Sequence, residues 1–125
     1  MSVYKISNPT ALASKLVFDP SSDAGNDSDG DNVTAATSGS IYMVQIDNSK
    51  NSSAVYLKIA DASSAVPGTT TPNFVFFAPA SKIATYNLPS GHDYSAGVSI
   101  WCTAGAAKTD TTNPTKSVTV RIMAS

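Results

Sequence analysis

The sequence predicts an all-β fold, an antiparallel β-sandwich or jelly roll of about 7–9 strands in a single domain spanning residues 1–125. Three observations carry that expectation. Short segments alternate apolar and polar residues with a period of two, the mark of half-buried strands. Clusters of Gly, Pro, Asn, Asp and Ser recur between those segments. At 125 residues the chain is long enough for one core and too short to divide.

The expected elements follow in order. "SVYKI" and "SKLVF" near the N-terminus read as strands. Between them "TALASKL", after Thr10 as a cap, is the only helical candidate, with Leu12 and Leu16 on one face. Seven residues are few for a helix. Residues 20–40 are the one candidate for disorder and contain an acidic loop at about 20–32, with "NVTAAT" as a short strand after it. "SIYMVQID" (40–47) is apolar on both faces, as a central strand is. In "SAVYLKIA", Val55, Leu57 and Ile59 alternate with Ala54, Tyr56 and Lys58. "NFVFFA" (73–78) and "KIATYNL" (82–88) follow. In "GVSIWCT", Val98, Ile100 and Cys102 alternate with Ser99, Trp101 and Thr103, and in "SVTVRIM" Val118, Val120 and Ile122 alternate with Thr119, Arg121 and Met123. The turns are "DNSKNSS", "ASSAVPGTTTP", "APAS", "LPSGHD" and "AGAAKTDTTNPT".

Composition narrows the function. Only 14% of residues are charged, against about 25% in average globular proteins. The polar surface comes instead from 19 Ser and 13 Thr, with 17 Ala among them. Hydroxyls and methyls cost little to desolvate, which suits packing against copies or partners. The net charge of −1, without any run of Lys or Arg, offers no positive field for nucleic acid. No apolar run approaches the roughly 20 residues of a membrane helix, so no membrane partner is expected. "MSVYKISNPT" has no apolar h-region, so no signal peptide is expected. Asn26, Asn32 and Asn51 each begin an N-x-S/T sequon, read as chance matches in a Ser/Thr-rich chain. A lone Cys102 cannot form an internal disulfide.

The chain's one His, one Trp and one Cys lie within eleven positions, in "GHDYSAGVSIWCT". Alternation sends Cys102 to the core and Trp101 to the opposite face. There Trp101 is covered by another part of the chain, buried at a subunit interface, or exposed for sugar stacking. His92 reads as a loop residue, because a strand sends His92 and Asp93 to opposite faces and a triad needs them together in space. One His and one Cys cannot supply a zinc site within a single chain. No catalytic constellation emerges, and the chain is expected not to be an enzyme. A hydrolase would require a cleft that gathers Asp residues or His92.

In "DAGNDSDGDN", Asp27, Asp29 and Asp31 occupy alternate positions, as oxygen ligands do in half of a Ca2+ loop. The EF-hand pattern then fails at Asn32 and Ser38, where Gly and Glu belong. The expectation is a solvated acidic loop, with these three residues as metal candidates and no cofactor otherwise. Like charges so close require a cation or a basic surface to hold one conformation.

Four stretches carry a resemblance. They are a strand ending in "DN", a "VYLKI-D" strand, a "PGTTTP" link before an aromatic strand, and a "G---SAGVSI" strand leading into "T-GAA-TDTT". Over residues 40–122 the chain resembles small β-sandwich virion structural proteins of tailed bacteriophages. The resemblance implies a capsid decoration (cement) protein that bridges capsid subunits, or a tail or receptor-binding module that recognises host-surface glycans. It implies a homo-oligomer, most often a trimer, whose partners are the major capsid protein or other virion proteins, within a virion assembled in the host bacterial cytoplasm. It defines no catalytic residue. Trp101, Tyr56 and Arg121 are the outward-facing contact residues expected from strand alternation.

Overall fold

The computed structural model describes the backbone of residues 4–7, 15–22, 31–32 and 38–124, and side chains over 38–124. Nine strands form among the described residues: β1 (Tyr4–Ser7), β2 (Lys15–Ser22), β3 (Asp31–Asn32), β4 (Gly39–Asp47), β5 (Val55–Asp61), β6 (Phe74–Ala78), β7 (Ile83–Tyr94), β8 (Val98–Thr103) and β9 (Val118–Ala124). They build two sheets, in the orders β1-β2-β9-β4-β7 and β3-β8-β5-β6, with every pairing antiparallel. In each sheet three strands carry described side chains, β9-β4-β7 in one and β8-β5-β6 in the other.

Period-two alternation supplies the core. Val55, Leu57 and Ile59 from β5 meet Val98, Ile100 and Cys102 from β8. Val118, Val120 and Ile122 from β9 complete the same cluster with Ile41, Val44 and Ile46 from β4. One apolar layer is thus shared by both sheets, an arrangement consistent with a β-sandwich. Each such side chain contributes about 1.5–3 kcal/mol by leaving water. β4 departs from strict alternation, because Ile41 and Val44 both face inward. An irregularity between Ile41 and Met43 resets the face.

That irregularity lies opposite a large bulge in β7. Asn87 pairs with Met43 and His92 with Ile41, so Leu88–Gly91 stand against Tyr42 alone. Gly91 is required there. Its φ is +76°, and a Cβ would come within 2.9 Å of the Tyr42 ring.

The second sheet has a cover on its outer face. Lys58, Ser99, Trp101 and Thr103 all point away from the core, yet each is fully buried. Trp101 packs with Ala60, Ala62 and Ala65 from the end of β5 and the link after it. Lys58 lies under the 104–117 link, and every residue of β8 is consequently buried.

Several sequence expectations change. "LPSGHD" is not a turn, because Ile83–Tyr94 is one strand interrupted by the bulge. Lys15 and Leu16, placed in the helical candidate, belong to β2, and the rest of that candidate lies outside the described residues. No helix occurs among the described residues. Within the disorder candidate, residues 20–22, 31–32 and 39–40 are strand. The remainder of the acidic loop lies outside the described residues, as does all of "NVTAAT" but Asn32.

Candidate functional site

Two buried asparagines organise one end of the molecule. The Asn48 Nδ2 donates to the carbonyls of Ser53 (3.0 Å), Ala78 (3.4 Å) and Pro79 (3.1 Å). The Asn51 Nδ2 donates to Asn48 Oδ1 (2.9 Å) and the Lys116 carbonyl (3.0 Å). Asn51 Oδ1 accepts from the Lys116 amide (2.8 Å) and the Thr115 hydroxyl (3.1 Å). The Asn48 amide donates to the Lys82 carbonyl (3.0 Å), and the Ser81 amide to the Asn51 carbonyl (2.8 Å). The β4–β5 turn, the β6–β7 turn and the entry to β9 are thereby tied together. The exposed residues Lys50, Lys82 and Lys116 from three separate segments come to this one end. A run of basic residues is missing from the sequence, but folding gathers these three. The Asn51 sequon is occupied structurally, its amide being buried and fully used.

A carboxylate clamp sits at the opposite end. Asp61 accepts from the Ser95 amide (3.0 Å) and hydroxyl (3.3 Å) and the Ala96 amide (2.8 Å). The Ala96 amide above all, with Ser95 and Gly97, holds this carboxyl below its ordinary value of 3.8, against the opposing effect of burial. The Asp61 amide in turn donates to Asn73 Oδ1 (2.7 Å). Next to the clamp lies a shallow open cleft lined by Asp61, Asn73, Phe74, His92, Asp93 and Tyr94, with enclosed room for about one water molecule. That is far below the ~300–1,000 Å³ of typical ligand pockets. The Ser40 hydroxyl donates to Asp93 (2.5 Å), while the His92 ring packs edge-on against Phe74 at 4.4 Å. His92 is therefore an exposed strand residue and not a loop residue.

A buried ammonium is the third polar feature. Lys58 Nζ donates to the carbonyls of Ala107 (2.5 Å) and Asp110 (3.3 Å) and pins the link after β8 onto the sheet. Burial pushes this amine below its ordinary 10.5, and the Asp110 charge works in the other direction. Gly105 allows the link to close. A Cβ there would fall 1.9 Å from Asp110 Oδ2. Strand alternation placed Lys58 on the outer face, but the only hint of its burial was the long, weakly charged link downstream.

The three expected contact residues do not share a surface. Trp101 is 0% exposed, covered by its own chain, so it is not an outward contact, and its Nε1 has no hydrogen-bond partner among the described residues. Arg121 is exposed on the other sheet, where its Nη1 donates to Gln45 Oε1 (3.2 Å). Tyr56 is half-buried on the outer face of the second sheet, its ring 5.6 Å from that of Phe77. Beside it Val75 (44%) and Phe77 (46%) form an exposed apolar strip that the sequence reading did not single out. Their alternation with Phe74 and Phe76 was the available signal. Cys102 is buried in the core, as alternation indicates. Of the metal candidates, Asp27 and Asp29 lie outside the described residues, and the Asp31 backbone pairs with Ile100. Comparison with family models, curated proteins and solved structures finds no match to this chain.

Proposed function

We propose that this chain is a virion structural protein of a tailed bacteriophage, of the capsid decoration type, and that its fold is a jelly roll. The topology supports the second part. Setting β1 aside, the orders β2-β9-β4-β7 and β3-β8-β5-β6 are those of eight strands wound as two Greek keys, an architecture used by viral capsid domains. That likeness is one of fold and does not carry the function alone.

The observation that carries the function is where the resembling residues lie. The "DN" motif includes Asn48 of the buried hub, and the Asp of "VYLKI-D" is Asp61, which clamps the "SAG" turn that leads into β8. "T-GAA-TDTT" is the link held by Lys58. The pattern's polar residues serve the scaffold, as in a protein whose task is to present surface. On this reading the protein is not an enzyme, requires no cofactor, and works as a homo-oligomer on the major capsid protein. Many copies on a shell let modest contacts sum to large stabilisation.

The test is the heat stability of DNA-filled shells stripped of decoration protein, measured with and without the added chain. Raised temperature of DNA release supports the reading; unchanged release refutes it. The alternative, a tail module that reads glycans, no longer has an aromatic platform at Trp101 and would rely on Tyr56 and Phe77. Glycan-array binding abolished by Phe77→Ser would favour it.

A further inference from the structure

We infer that β6 is a self-association edge, and that two copies of this chain pair through it antiparallel about a two-fold axis near Phe76. Among the described residues the sheets end in four edge strands, β1, β7, β3 and β6. Exposed edges invite pairing, and proteins commonly guard them with charge, proline, bulges or shortness. β1 carries Lys5, β3 has two residues and one is Asp31, and β7 carries Pro89 and the Leu88–Gly91 bulge. β6, "FVFFA", has none of these devices.

Its backbone is set to pair. Every residue of β6 has a register partner in β5, from Phe74 opposite Ile59 to Ala78 opposite Val55, and in an antiparallel ladder only alternate residues turn their N–H and C=O towards that partner. The Phe77 carbonyl turns the other way and accepts from the Tyr86 hydroxyl, which leaves this carbonyl a second lone pair. Alternation places the Val75 backbone on the same free side. A second β6 running antiparallel puts Val75 of each copy opposite Phe77 of the other, and closes the two exposed apolar strips into one stripe.

Charge selects a second copy as the occupant and fixes its direction. The C-terminal end of β6 lies at the basic end of the molecule, where Asn48 bonds the Ala78, Pro79 and Lys82 carbonyls and Lys50 is exposed nearby. The N-terminal end lies beside Asp61 and Asp93. Antiparallel pairing sets the lysine end of each copy against the aspartate end of the other, twice per dimer. Parallel pairing would set like against like.

The experiment is sedimentation equilibrium of the full chain across concentration and salt, alongside Val75→Lys, Phe77→Lys and Lys82→Glu variants checked for folding by circular dichroism. Expected is a monomer–dimer equilibrium weakened by salt and abolished by either exposed-strip lysine. Lys82→Glu should raise the dissociation constant roughly threefold to tenfold, from two exposed pairs. Adding Asp93→Lys to Lys82→Glu should restore it. A monomer at all concentrations, a trimer, or a dimer indifferent to Val75→Lys and Phe77→Lys overturns the inference. Because no shell is involved, failure here leaves the decoration reading standing, and success does not prove it.

Discussion

Asn51→Ala removes the centre of the hub that joins three turns. The substitution deletes four hydrogen bonds: two donated, to Asn48 Oδ1 and the Lys116 carbonyl, and two accepted, from Thr115 and the Lys116 amide. Asn48 is fully buried, so its Oδ1 loses a partner where water does not easily replace it. That orphan acceptor costs about 1–3 kcal/mol. The Lys116 and Thr115 groups lie near the surface and recover water, so each loss is worth about 0.5–1 kcal/mol. The sum is roughly 2.5–6 kcal/mol, a large part of the ~5–15 kcal/mol that holds a domain together. At this length the melting temperature should fall by roughly 10–24 °C. Urea unfolding is the assay, with a lower midpoint and an unchanged slope as the expected result. Ser52→Ala, at the exposed neighbour, should stay within about 0.5 kcal/mol. If Asn51→Ala matches that control, the hub does not hold the turns, and the reasoning fails.

Three further outcomes follow from the polar clamps. The Asp61 carboxyl is held below 3.8, so its stabilisation is complete above about pH 4 and is lost as pH falls through its folded-state value. Asp61→Asn should lower stability at pH 7 and flatten the acid limb of a stability–pH curve. The Lys58 amine is lowered from 10.5, so the folded chain sheds this proton first and stability should rise with pH between the lowered value and 10.5. Lys58→Met should remove that slope in urea titrations. Gly105→Ala drives a methyl into the Asp110 carboxylate and should cost about 1–3 kcal/mol, a cost that shrinks in an Asp110→Ala background in a double-mutant cycle.

The legible part of this fold was its alternation. Leu57, Ile100, Cys102, Val120 and their neighbours repeat every second residue, and that period survives folding because it faces a single buried layer. Pairing between distant strands left no such mark. Nothing in "LPSGHD" distinguishes a hairpin turn from a bulge, since Pro, Ser and Gly serve both, and only Tyr42 across the sheet decides between them. Trp101 and Lys58 were assigned to the correct face with their surroundings left open, and of the three settings offered for Trp101 the structure shows cover by its own chain. Alternation gives the side of a sheet, whereas the cover on that side comes from links 62–72 and 104–117, which have no periodicity. The Asn48–Asn51 hub looked like an ordinary polar turn, because its partners at Ala78, Pro79 and Lys116 are remote in sequence. The lysine end was hidden for the same reason.

The decoration reading is tested most directly by cosedimentation of the purified chain with preassembled, undecorated phage shells. The account predicts saturable binding with a fixed ratio of copies to capsid subunits, and no change when soluble glycans are added. A chain that stays in the supernatant at every concentration would contradict it.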